Sequence, residues 1–157
     1  MANLILWRHA EAEVHSKTGA DTDRALTKTG FKDAEKMANW LNQHLPPNTE
    51  AYCSPARRCI ETASALQKLN PIEIKVVDFL SVDSTAEIIA KKVRSSDSSK
   101  TTLIIGHQPN LGLVITKLLG MNESACAVKK GAAWWLRQRE VDGVMQTYLF
   151  AVQHPDY

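Results

Sequence analysis

No apolar run in this 157-residue sequence approaches the roughly 20 residues needed to cross a bilayer. The first apolar segment, Leu4-Ile5-Leu6-Trp7, is cut short by Arg8 and His9, which argues against the core of a secretion signal. Charge of one sign is lacking too. A formal net charge of +2 gives no basis for nucleic-acid or membrane binding. Cysteine is scarce: Cys53, Cys59 and Cys126 are odd in number and form no CxxC pair, so free thiols in a reducing compartment are expected rather than a disulfide framework. There is no internal repeat and no long linker. The nearest approach to low complexity, Arg94 to Lys100, reads as a surface loop. These absences leave a single cytoplasmic domain over residues 1–157, long enough for one full core.

Strand and helix signals alternate along the chain. Asn3–Trp7 reads as a buried strand and Glu11–Arg24 as a polar loop. Thr27 suits the N-cap of a helix whose apolar positions Phe31, Ala34, Ala38, Leu41 and Leu45 recur at three- and four-residue steps until Pro46-Pro47. Ala51–Cys53 is a short strand, followed by Ser54 as N-cap with Pro55 at the first helical position. Ile72–Val77 alternates like a strand, and Ser84 with Glu87 reads as a capping box. Thr101–Ile105 is a β-branched strand. Gly106–Asn110 is a tight turn, and Leu111, Ile115 and Leu118 share a helix face that Gly120 ends. Strands around Ala132–Gln138 and Met145–Val152 flank Asp142-Gly143, a favoured hairpin turn. The pattern predicts an α/β fold in three layers, α/β/α, with a mostly parallel sheet flanked by helices.

In open sheets of this kind ligands bind beyond the carboxyl ends of the strands. Three strand ends here carry residues suited to an oxyanion: Arg8-His9, Ser54-Pro55-Ala56-Arg57-Arg58 and Gly106-His107. Arginine presents a planar fork of donors that matches phosphate oxygens, and the first turn of a helix adds free N–H groups. Arg57 and Arg58 point about 100° apart on a helix, so one of the two should face an anion. A neutral imidazole with one nitrogen free and the other hydrogen-bonded is a competent nucleophile, and nearby arginines keep it neutral. Phosphoryl transfer asks mainly for positioning and charge neutralisation.

Those residues resemble the histidine phosphatase, or phosphoglycerate mutase-like, superfamily. Arg8-His9-Ala10-Glu11 resembles its Arg-His-Gly signature, with alanine replacing glycine. Ser54-Pro55-Ala56-Arg57-Arg58-Cys59-Ile60-Glu61-Thr62-Ala63 resembles its second motif. Gly106-His107 matches its late histidine, and Leu26-Thr27-Lys28-Thr29-Gly30 its Leu-Thr-x-x-Gly segment. The resemblance runs from Asn3 to about Gly120, and the small size is most similar to the SixA-type phosphohistidine phosphatases. It implies a phosphoglycerate mutase-like fold and a hydrolase acting through a phosphohistidine intermediate on His9. Arg8, Arg58 and His107 would bind the phosphoryl group, and Arg57 would be an outward neighbour.

The acid-bearing insertion of larger members is short here. Asp78 and Asp83 are the nearest candidates for a leaving-group acid, and neither is assigned. The short segment favours phosphohistidine, whose imidazole leaves with less help than an alkoxide. The expected partner is a phosphorylated His-containing phosphotransfer protein. The alternative is a small phosphate ester, with a phosphate-binding module that has lost catalysis as a third reading. Glu11 and Arg24 are placed beside the pocket entrance, shaping substrate approach or serving structure. Neither a cofactor nor a metal is expected: Cys53, Cys59, His9 and His107 could gather near the rim, but lack the close ligand pairs of zinc sites. His15, His44 and His154 should be exposed. Of Trp134 and Trp135, one ring should face the core and the other outward, to pack on a neighbouring helix.

Overall fold

The computed structural model describes residues 2–94, 97, 99–121 and 124–157. Six strands form one sheet in the order β3-β2-β4-β1-β5-β6. These are β1 (Ala2–Arg8), β2 (Glu50–Cys53), β3 (Ile74–Val76), β4 (Thr101–Gly106), β5 (Ala133–Val141) and β6 (Val144–Gln153). β1 to β4 are mutually parallel, and β5 and β6 close one side as an antiparallel hairpin. Helices α1 (Lys28–His44) and α2 (Arg57–Gln67) pack together on one apolar cluster, centred on Ile5, Trp7, Leu103 and Ile105. Helices α3 (Ala86–Val93) and α4 (Asn110–Leu118) cover the other, around Leu4, Leu6 and Ile104. Alternate residues of β1 and β4 thus feed opposite cores, which is why these strands read as continuous apolar runs. The chain steps outward from β1 to β2 to β3, then returns to insert β4 between β2 and β1. Right-handed crossovers taken in opposite directions put their helices on opposite faces.

Local signals explain most element ends. Thr27 Oγ1 accepts from Gly30 N at 3.0 Å, capping α1. Leu45 is extended, as the residue before a proline prefers, and stops the helix there. Asp142 (φ 51°) and Gly143 (φ 78°) make the β5–β6 turn with both central residues left-handed, as a two-residue hairpin of this hand requires.

Four readings need correction. Ser54 is not the N-cap of α2, which begins at Arg57 after Ala56; the Ser54 hydroxyl is held by His107 instead. Thr85, not Ser84, caps α3, accepting from Ile88 N at 3.3 Å. Phe31 is exposed on α1 and Met37 takes the core position. The third strand is confined to Ile74–Val76: Ile72 N turns to Asn70 O, and Val77 lies past the last pair, its N still donating to Cys53 O (2.9 Å). Of the stretch read as a surface loop, Ser95, Ser96 and Ser98 lie outside the described residues. Trp135 is buried with the first cluster, while Trp134 packs against the second from a half-buried position. No helix among the described residues is long and apolar enough to cross a membrane.

Candidate active site

Because β2, β4 and β1 are parallel neighbours, their carboxyl ends share one edge of the sheet. Arg8 pairs with Gly106 and Cys53 with Ile105. The ladder runs one residue further on each side, with His9 N donating to Gly106 O (3.2 Å) and Ser54 N to Ile105 O (3.0 Å). His9, Ser54 and His107 are therefore fixed by backbone before their side chains make any contact. All three are buried. The His9 and His107 rings stand 5.4 Å apart at 60°.

His9 Nδ1 lies 2.7 Å from Ala10 O, an acceptor that assigns the proton to Nδ1 and leaves Nε2 with its lone pair. Burial pushes the pKa of His9 down to about 3, and the positive charges of Arg58 and Arg8 with the His107 ring reinforce burial against the Ala10 hydrogen bond. The imidazole is neutral at neutral pH. Ala10 is fully buried and is not among the positive-φ residues, so the absent signature glycine is not needed for its backbone conformation.

His107 Nε2 is 2.7 Å from Ser54 Oγ, and its Nδ1 faces Arg58 Nη2 at 3.4 Å. Burial, then Arg58, lowers its pKa to about 4, with Asp21 opposing. Arg58 projects from the buried side of α2 and is only 3 % exposed. Its Nη1 donates to Asp21 O (2.9 Å) and its Nη2 meets the Asp21 carboxylate at 3.1 Å. Arg57 turns outward at 49 % exposure and pairs with Asp23 and Glu61. Arg8 donates from Nη1 to Val128 O at 3.0 Å. Burial first, then Arg58, lowers its pKa from the ordinary arginine value.

The segment after His9 is braced from below. Thr62 Oγ1 accepts from Ala10 N (3.1 Å) and donates to Arg58 O (2.7 Å), linking the His9 loop to α2. Glu61 Oε1 accepts from Leu26 N, and Thr27 N donates to Glu11 O. A Cβ on Gly30 would overlap the Glu11 carbonyl oxygen, so only glycine lets α1 approach this closely. The Glu-Thr and Leu-Thr-x-x-Gly motifs thus hold the His9 segment in place.

The structure gathers His9, Arg58 and His107, with Arg8 near enough to act on all three electrostatically. Asp78 and Asp83 are exposed, and neither side chain contacts this group among the described residues. The Glu11 carboxylate turns away to accept from Thr27 Oγ1 (2.8 Å). Arg24 pairs with Asp21 at 3.0 Å, and its charge adds to those that disfavour a protonated His107. His15 and His44 are exposed, whereas His154 is half-buried. Cys59 Sγ lies 3.6 Å from His107 Nε2, and burial pushes its thiol up to about 12. Burial also raises the pKa of the Cys53 thiol. Among the described residues no group of three or more histidine, cysteine or carboxylate side chains could hold a metal. Asp21 was missed in the sequence because nothing in its polar loop marks it. Ser54 was legible as part of a motif, but its partner was not.

The model of the histidine phosphatase superfamily, branch 1, matches residues 4–81, which include both Arg8-His9 and the second motif. A phosphohistidine phosphatase SixA homologue of Haemophilus influenzae is 27 % identical over 131 residues, covering 75 % of this chain and 77 % of its own. A protein histidine phosphatase SixA complexed with tungstate superposes with a TM-score of 0.82 at 21 % identity, covering 98 % of this chain and 97 % of that one. A variant of the phosphoserine phosphatase of Entamoeba histolytica gives a TM-score of 0.74 at 16 % identity, over 97 % and 96 % of the two chains. The two structural likenesses establish the fold, and the family model with the sequence relative establishes the rest: this chain belongs to the histidine phosphatase superfamily, on its SixA-like side, and is a phosphatase hydrolase.

Proposed function

We infer that this chain is a single histidine phosphatase domain that hydrolyses phosphohistidine on a protein by way of a phosphorylated His9. The observation that carries the reading is a neutral His9 whose Nδ1 is tied to Ala10 O, beside Arg58 and His107. In the first step His9 Nε2 forms the bond to phosphorus as the bond to the substrate ring breaks, and that ring, protonated from solvent on its other nitrogen, leaves with the electron pair as neutral imidazole. In the second, water attacks the phosphohistidine, releases inorganic phosphate and restores the neutral ring. Arg8 and Arg58 neutralise the oxygens in both steps, and an Nδ1–H tautomer of His107 donates to one of them. Imidazole is a weakly basic leaving group and needs little protonation in the transition state. That suits a rim where Asp78 and Asp83 stand apart from His9.

The named SixA relatives support the phosphohistidine reading, and a His-containing phosphotransfer protein is the substrate class that fits. The second reading, a small-metabolite phosphomonoesterase, draws on the phosphoserine phosphatase likeness, which is one of fold. A panel of phosphorylated phosphotransfer domain, phosphoserine and small phosphate esters separates the two. Phosphate release from the domain at a kcat/KM at least about tenfold above the esters supports the first reading. Brisk ester turnover with none from the domain establishes the second.

A further inference from the structure

Beside the phosphoryl pocket lies an open shelf of about 670 Å³ lined by Arg8, Lys129, Lys130, His154, Asp33 and Asp156. Arg8 is common to the pocket and the shelf. The turn that carries the lysines is fastened to the end of β1 on several sides. Arg8 Nη1 donates to Val128 O (3.0 Å), Trp7 Nε1 to Gly131 O (3.0 Å), Gly131 N to His9 O (3.0 Å) and Arg8 N to Ala132 O (3.0 Å). Gly131 adopts φ 79°, which lets the chain turn sharply there. Lys129 and Lys130 are both exposed, and neither enters an ion pair among the described residues.

Two unpaired ammonium groups on a rigid turn next to a catalytic-rim arginine have a direct use. We propose that Lys129 and Lys130 bind an acidic side chain flanking the phosphorylated histidine of the protein substrate, so that the shelf is the substrate-docking surface. This rests on the phosphohistidine reading above and adds the recognition chemistry. The occupant is a protein segment, because the shelf is open and charged where a small metabolite would need enclosure. Asp33 and Asp156 share the shelf, so its field is local and bipolar. A matching segment sets a carboxylate on the lysines and can set a basic side chain by the aspartates, which fixes its direction across the rim.

The test compares two substrates with the same leaving group: a phosphorylated His-containing phosphotransfer domain and free phosphohistidine. For K129A/K130A the expected result is a loss of about five- to tenfold in kcat/KM on the domain, carried by KM, with free phosphohistidine changed less than about twofold. K129R/K130R should keep wild-type kinetics, and raising salt should shrink the difference between wild type and K129A/K130A. Equal losses on both substrates, or no loss on the domain, overturn the docking proposal while the phosphohistidine reading stands. A wild-type enzyme inactive on the domain overturns both.

Discussion

Ser54 Oγ sits 2.7 Å from His107 Nε2, with both side chains buried, while Ala56 N donates to the same hydroxyl at 3.3 Å. With one lone pair taken by Ala56, the Ser54 proton is free to turn toward His107 Nε2. Without phosphate His107 Nδ1 accepts from Arg58 Nη2 (3.4 Å), since a guanidinium only donates; once a phosphoryl oxygen takes that N–H, a Ser54 proton on Nε2 puts the imidazole proton on Nδ1. Ser54 is thus a positioning residue for the tautomer that can donate to phosphate. Ser54→Ala should lower the single-turnover rate about tenfold or more with little change in KM. The His107 ¹⁵N signals should show mixed tautomers in the phosphate complex. A variant with full rate and one tautomer would remove this role.

Arg57 and Arg58 differ in fate although adjacent in sequence. Arg58→Ala should cost about 10²- to 10³-fold in kcat/KM, the usual loss for a buried group that stabilises transition-state charge. Arg57→Ala should stay within about twofold, since Arg57 is itself exposed and its ion pairs with the half-buried Asp23 and Glu61 lie at 3.5–3.6 Å. Steady-state kinetics on any turned-over substrate decide it, and comparable losses would contradict the assignment.

Asp21 holds Arg58 through its carboxylate and its carbonyl, and the carboxylate competes for the donors that a phosphoryl group needs. Arg58 and Arg24 together hold the Asp21 carboxyl below its usual range, against the opposing effect of desolvation. Asp21→Asn keeps the carbonyl contact and removes the charge. Inorganic phosphate should then inhibit more tightly, by about two- to fivefold, with the largest gain at low salt. Weaker inhibition would show that the carboxylate orients Arg58 more than it competes.

The histidines also leave a mark on stability. Their folded pKa values, about 3 for His9 and about 4 for His107, lie below the 6.5 of an unperturbed histidine, so the unfolded chain takes up protons first. Their contribution is complete above pH 6.5. It is lost as pH falls toward 4, at roughly 1.4 kcal/mol per pH unit for each ring. Urea unfolding at pH 7 and pH 5 should show a steep loss in the wild type and a shallower one in H9N/H107N. Parallel slopes would mean the rings are not buried in neutral form.

Gly30 has a stability test of its own. Gly30→Ala drives a methyl group into the Glu11 carbonyl and should cost about 1–3 kcal/mol by overpacking. Thermal unfolding measures that cost.

Much of this was legible before the fold. The continuous apolar runs of β1 and β4, the Thr27 cap and the Asp142-Gly143 turn each follow from short-range chemistry, and they were read correctly. Adjacency of the three strand ends followed from the α/β pattern. Ser54 was misread because an Ser-Pro pair satisfies the local rule for a helix start, and a partner 53 positions away outweighed it. Phe31 is read onto the apolar face and Met37 is not named there, because helix periodicity marks a broad stripe and not its centre. Asp21 left no signal, since one carboxylate in a polar loop looks like any other.

The most direct measurement is to mix the enzyme with ³²P-labelled phosphorylated phosphotransfer domain, quench within the first turnover and map the label. Label should appear on His9 as an acid-labile, base-stable phosphoramidate, and His9→Ala should neither accept it nor release phosphate above about a thousandth of the wild-type rate. Full phosphatase activity in His9→Ala, or label on any other residue in the active enzyme, would contradict attack by His9.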